Sequence, residues 1–364
     1  NGLGRFAAAA AAPSLMNLAM IGFMLAGAAL GGDIGLWLAW AVPVAGVAQL
    51  ALVWYGAAKA GMAVRPHLPR ITPELRRLAV IALPAMLTGG VIQINLLVGR
   101  QVGSFFDGAV AWLSYADRLY QLPLGVVGIA IGVVLLPDLS RRLRSDDAAG
   151  GRAAFNRASE FTLALTLPAA IALVVIPVPI VAVLFERGAF RPEDTAATAL
   201  AVAVYGAGLP AFVLQKVLSP LYFAREDTRS PLRFSVHAML VNAAVAVGLA
   251  PFIGFIAAAL GTTIAGWIMV VQLWRGTGGM GEAAAPDARL RSRLPRIALA
   301  SLVMGAGLAA AQFALGGLPD GLAARLAVLI GLVGGGALLY GLAALALGAL
   351  RPAELRDALG RQAA

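Results

Sequence analysis

Asp117 and Arg118 stand side by side in the stretch SYADRLYQLPLGVVGIAIGVVLLPDLSRR, residues 114–142, which is otherwise apolar enough to lie in a bilayer. Ionisable groups at membrane depth cost roughly 2.5–3.5 kcal/mol each on insertion scales, so those that persist face a protein interior or a wet cavity. Counted from a helix start near residue 110, Arg118 lies about eight residues in, or about 12 Å. That is too deep for its guanidinium to snorkel back to bulk water. Neighbours in sequence point about 100° apart on a helix, so Asp117 and Arg118 cannot cap each other as an i,i+4 pair would. Two readings fit: a buried ion pair with another helix, or a cationic pocket for an anionic substrate. The balance favours the pocket, because arginine keeps its charge and its planar fork matches a phosphate with two parallel hydrogen bonds.

Other polar residues sit near this pair. Gln121 follows Asp117 by one turn, and Pro123 interrupts the hydrogen-bond ladder just beyond, which suits either a static kink or a helix that bends during transport. Gln93 and Asn95, in LTGGVIQINLLVG, place two amides in the preceding apolar span. They could line the same cavity, although interhelical hydrogen bonding is the default use of membrane amides. Lys216 lies about one turn from the end of its span and reads as an interfacial anchor. Glu160, Asn17 and Asn242 are weaker candidates without an assigned role. His67 and His237 have no acidic or serine partner nearby in sequence, and the run GTGGMG at 276–281 lacks the Lys-Ser/Thr ending of a phosphate loop. With no cysteine in the chain, thiolate chemistry and disulfides are excluded. Nothing here reads as an enzyme, and no cofactor or metal site is expected.

The elements that must position these residues follow from composition. The 364 residues are 60% hydrophobic and 13% charged, with mean hydropathy +0.85, so the chain reads as an integral membrane protein built as an all-α, polytopic helical bundle. Ten spans are expected at about residues 6–28, 36–57, 78–99, 110–136, 155–185, 195–221, 233–250, 254–274, 296–316 and 325–349. The formal charge of +10 sits in alternate loops rather than on an aromatic-interleaved face, which argues against nucleic acid. With the N-terminus inside, 22 of the 28 Lys and Arg fall in inner segments. Only Arg100, Arg187, Arg191 and Arg325 fall outside, while Arg118 and Lys216 lie within spans. Both ends are therefore expected in the cytoplasm. The links 58–77 and 275–295 are the longest, and the second reads as a flexible connector with nothing to bury. The chain starts with Asn1 rather than Met and shows no cleavable signal, so a truncated N-terminus is expected.

The stretch YADRLYQLPLGVVGIAIGVVLLPDLSR resembles the signature region of the MurJ/MviN family, the lipid II flippases of the MOP exporter superfamily. Collinear matches are RFAAAAAAPSLMNLAMIGF, LPAMLTGGVIQINLLV, LFERGAF at 184–190 and KVLSPLYFAREDTRSP at 216–231. The resemblance implies two six-helix bundles followed by two further helices, of which this chain would hold the last ten of fourteen. It divides the chain into 1–57, the last two helices of the first bundle; 58–77, a linker; 78–274, the second bundle; 275–295, a linker; and 296–364, the two extra helices and tail.

The same resemblance implies translocation of an undecaprenyl-pyrophosphate-linked peptidoglycan precursor, lipid II, from the inner to the outer leaflet by alternating access. The expected location is the bacterial inner membrane, with membrane lipids and the peptidoglycan synthesis machinery as partners. Arg118 would meet the pyrophosphate–sugar head group with Asp117 beside it, and Gln121, Gln93 and Asn95 would line the path. Some members carry a sodium-binding acid where this chain has Gly99, and Ala246 stands one turn after Asn242 where a second ligand belongs. Sodium coupling is therefore not expected, and the membrane potential becomes the more plausible drive. Alternative readings are an exporter of another polyprenyl-linked oligosaccharide or a non-transporting membrane scaffold. A drug or cation antiporter fits less well, since the deep residues are arginine and amides rather than carboxylates.

Overall fold

A computed structural model describes residues 7–61, 72–73, 75, 90–91, 93–130, 142, 148–281 and 284–349. The described elements are all helical, and eight helices among the described residues are long and apolar enough to cross a membrane. The chain divides into two compact units, Asn1–Val80 and Ile81–Ala364. Most of the expected link 58–77, most of the span 78–99 and the end of the span 110–136 lie outside the described residues, as does His67.

The first unit is a helical hairpin of α1 (Ala7–Leu30) and α2 (Ile34–Lys59). Gly31 takes a positive φ of 68° to reverse the chain, where an L side chain would be strained. Asp33 then caps α2 by accepting a hydrogen bond from Gly35 N at 2.8 Å. Gly27 allows the hairpin to close, because a Cβ there would lie 2.8 Å from Trp37 Cδ1. Large apolar side chains are exposed along both helices, among them Leu18, Ile21 and Leu25 on α1 and Trp40, Val47 and Leu50 on α2, the pattern of a helix solvated by lipid.

In the second unit the described residues include a helical segment at 93–103. The unit continues through α3 (Ala109–Ala130), α4 (Ala148–Val175), α5 (Pro177–Phe185), α6 (Pro192–Phe223), α7 (Arg229–Ile253), α8 (Ile256–Gly276), α9 (Ala288–Leu315) and α10 (Leu322–Ala346). At its centre α6 packs against α3, α4 and α8, with Val202, Leu209, Val213 and Leu221 fully buried. Lipid tails are as apolar as leucine, so close packing of small residues has to hold such helices together. Gly206 meets α4 near Leu173, and Gly266 of α8 receives the Phe212 ring of α6. Side-chain bonds to backbone strengthen the second contact: Thr263 Oγ1 donates to Val204 O at 2.8 Å and Trp267 Nε1 to Ala207 O at 3.0 Å.

Two expectations need correction. The span expected at 155–185 is two helices, because Ile176 leaves helical geometry at φ −117°, ψ 41° and Pro177 opens α5. The stretch from 275, expected to be slack, is held instead. Asp287 caps α9 by accepting from Leu290 N at 2.6 Å. Asn156 of α4 donates to Ala285 O at 3.0 Å and accepts from Asp287 N at 2.9 Å. One turn on, Glu160 pairs with Arg289 at 2.9 Å and with Arg293, whose residue is only 4% exposed. Composition suggested nothing to bury, yet the stretch buries Ala284 and Leu290 as well as Thr277 and Arg293.

Candidate functional site

Arg118 lines a cavity of about 470 Å³ within the second unit. Its first wall is formed by Val91 and, on the helical segment 93–103, by Asn95, Leu96, Gly99 and Arg100, which recur at about one-turn spacing. A second wall is α3, through Val110, Leu113, Ser114, Asp117, Arg118 and Leu124. Tyr205, Phe212 and Gln215 of α6 and Ser235, Met239, Thr262 and Met269 of α7 and α8 complete the lining. The first two walls are joined by the short turn 104–108, in which Gly108 has φ 80°.

Within this lining the charges are arranged unequally. Asp117 is half-buried and accepts a hydrogen bond from Gln121 Nε2, and the Tyr120 hydroxyl lies against the same carboxylate. Arg118 is exposed to the cavity, and among the described residues no hydrogen bond or ion pair engages its guanidinium. Among the described residues the anion is thus held by neutral donors while the cation is left unpaired. An ion pair across helices, the first of the two sequence readings, is not what the described residues form.

The rest of the site is rigidly framed. Tyr120 stacks near Tyr205 and Phe212, with ring centroids 5.0 and 5.4 Å apart. Gln215 Nε2 donates to Gly266 O at 3.0 Å. At the loop end of α3, Trp112 Nε1 donates to Asp194 Oδ1 of α6 at 2.7 Å. Tyr115 packs on Phe185 and Phe190, the two phenylalanines of LFERGAF.

Of the residues expected from sequence, Arg118, Asp117 and Asn95 come together in the lining. Gln121 reaches the site through Asp117 alone, and Gln93 points out of the cavity, exposed and absent from its lining. Asn242, left without a role, is fully buried and donates to Asn95 Oδ1 at 2.5 Å. Lys216 lies across Gly128 of α3, its Nζ about 3.4 Å from where a Cβ would be, rather than extending past the end of its own helix. Arg100 and Gln215 are lining residues that sequence reasoning did not select. Arg100 was hidden because a position next to a loop assigns a basic residue to the loop.

The positions at which a sodium site was implied carry no carboxylate. Gly99 and Ala246 have no side-chain oxygen, and the Asn242 amide oxygen accepts from Thr262 Oγ1 at 3.5 Å. The residues present offer neutral donors only, a poor match for a cation that needs neutralising charge. Among the described residues no cluster of three or more His, Cys, Asp or Glu could hold a metal ion.

The sequence model of the lipid II flippase MurJ family matches residues 1–315. The chain belongs to this family. Among curated relatives, "Probable lipid II flippase MurJ" of Rhizobium meliloti (strain 1021) is 45% identical over 316 residues, which covers 85% of this chain and 58% of the relative. The protein of the same description from Rhizobium tropici is 47% identical over 277 residues, covering 75% and 52%. The chain thus spans about half the length of these MurJ relatives. A solved structure titled "Lipid II flippase MurJ, inward closed conformation" superposes with a TM-score of 0.71 at 24% identity, covering 92% of this chain and 66% of that one. At that identity the likeness establishes the fold, that of a multi-pass helical membrane protein.

Proposed function

We propose that this chain forms part of a lipid II flippase of the bacterial cytoplasmic membrane and supplies the anion-binding half of its translocation path. The observation that carries the reading is Arg118, a permanent cation facing a cavity walled in part by helices long and apolar enough to cross a membrane, while its neighbouring carboxylate is bonded elsewhere. A phosphate-bearing head group cannot enter hydrocarbon without a substitute for its hydration. The cavity provides one in Arg118 and the Asn95 and Gln215 amides, with tyrosine faces beside them. The polyprenyl tail stays in lipid while the head group moves, and rocking of helices around a fixed site exposes the cavity to each side in turn. This is transport and not bond chemistry.

Asp117 serves to position its neighbour. Held by Gln121 and Tyr120, it keeps the α3 register in which Arg118 faces inward without neutralising it. Both ends of the chain lie on the cytoplasmic side in this reading, following the bias of basic residues.

The test is a leaflet-accessibility assay for lipid II in vesicles free of other flippases, using this chain alone and completed to the length of its relatives. The completed protein is expected to move lipid II, and its Arg118→Ala variant, still inserted, is expected to move almost none. Near-normal flipping by that variant would remove Arg118 from the mechanism. Flipping of other polyprenyl-linked glycans but not of lipid II would reassign the cargo.

A further inference from the structure

We propose that Arg100 is a second anion-binding residue of the same cavity, and that it and Arg118 together select a diphosphate over a monophosphate. The inference rests on the reading above that the cargo is gripped by its phosphate groups.

Arg100 lines the cavity from the helical segment that also carries Asn95 and Gly99, so its side chain starts from a different wall than Arg118. It is exposed, and among the described residues no carboxylate bonds to it. Gly99, beside it, leaves room: a Cβ there would meet nothing within 4 Å. Among the described residues the charged lining residues are Arg100, Arg118 and Asp117, and Asp117 is bonded to Gln121. The cavity therefore carries a net positive charge on two separate walls.

The depths of the two arginines complete the case. Arg100 is three residues before its helix ends at 103, and Arg118 is nine residues after α3 begins at Ala109. At 1.5 Å per residue their backbones sit about 5 and 14 Å from the connecting turn, a difference of about 9 Å. One compact phosphate between such walls is served by one fork. A diphosphate is longer and carries more charge, and it gives each guanidinium a phosphate of its own to grip. The competing use of Arg100 is to anchor the helix end in the head-group layer. Anchoring and anion binding differ in what they do to ligand selectivity.

The experiment measures binding of fluorescent undecaprenyl diphosphate and undecaprenyl monophosphate to the purified 364-residue chain in detergent. The parent is compared with Arg100→Ala, Arg100→Lys and Arg118→Ala, each verified monodisperse. Arg100→Ala is expected to weaken diphosphate binding about tenfold, the loss for one charge-assisted hydrogen-bonded contact, and to leave the monophosphate nearly unchanged. Arg100→Lys, which keeps the charge without the fork, is expected to fall between. If Arg118→Ala weakens binding and Arg100→Ala does not, Arg100 is an anchor and the inference fails while the proposed function stands. If Arg100→Ala weakens both probes equally, it acts through general attraction and the selectivity assignment fails. If the parent binds neither probe, the phosphate-grip reading fails with it.

Discussion

Replacing Gly261 by alanine tests the packing argument where it touches the cavity. A Cβ at this position in α8 would lie 2.6 Å from Asn242 Oδ1, 2.8 Å from Asn242 O and 3.2 Å from Ala246 N. The amide oxygen can swing aside, but the carbonyl belongs to the α7 hydrogen-bond ladder and cannot. Relaxing the 2.8 Å approach to an ordinary 3.4 Å contact requires about 0.6 Å of separation between two closely packed helices. Overpacking of this kind costs about 1–3 kcal/mol. Displacing Asn242 also breaks its 2.5 Å bond to Asn95, worth about 1 kcal/mol. The sum is about 2–4 kcal/mol. Gly248→Ala on α7 is the matched control, since nothing lies within 4 Å of the Cβ it adds and alanine is the better helix former by up to about 1 kcal/mol. Thermal denaturation of the detergent-solubilised proteins, followed by loss of the monodisperse peak, should place Gly261→Ala well below the parent and Gly248→Ala level with it or above. A Gly261→Ala variant that denatures at the parent's temperature would refute the claim that these helices meet backbone to backbone.

Two further predictions concern the ion pairs. Glu160→Ala takes a carboxylate from two arginines, one of them buried, and should destabilise the α4–α9 contact by about 3 kcal/mol. Replacing Glu160 and Arg293 together by methionine should cost less than the single change, which a thermal-denaturation comparison of the two variants checks. At the other end, Glu186 accepts from Thr195 Oγ1 at 2.7 Å and pairs with Arg325 at 2.8 Å. The Thr195 hydrogen bond, then Arg325, holds its carboxyl below its ordinary value of 4.5. A carboxyl lowered on folding contributes stability above that ordinary value and loses it as pH falls through the lowered one. Acidification below about pH 4.5 should therefore loosen α10 from α5, seen as faster cross-linking of introduced cysteines, and Glu186→Gln should remove that pH dependence.

The helices were legible because apolar length and loop charge are properties of composition, and lipid enforces both. The place of Arg118 in the cavity lining was legible for a related reason: a charge in an apolar run faces a protein interior or a wet cavity. What sequence does not carry is azimuth. Gln93 and Asn95 are two residues apart and nearly opposite on a helix, so only one of them meets the cavity, and no count of amides decides which. Arg100 was misassigned because proximity to a loop looks the same whether the side chain turns toward water or toward a cavity. The break at Ile176 did have a signal, Pro177 and Pro179, outweighed by the continuous apolar run. The order at 285–293 also had one, since Pro286-Asp287 before ARLRSRL is a helix start with its cap. Its partners on α4, however, are about 130 residues earlier in the chain.

Arg152, Asn156 and Glu160 follow one another at single turns along α4, and all three grip the chain between Ala285 and Arg293. A Gly- and Ala-rich rope of this length would absorb displacement as slack. Here three teeth of one rigid rod hold the rope close to the point where it becomes α9. Movement of α4 is therefore delivered to α9, and through it to α10, as thrust with little lost travel. The final two helices behave as an outrigger lashed to the hull and not as a float on a line.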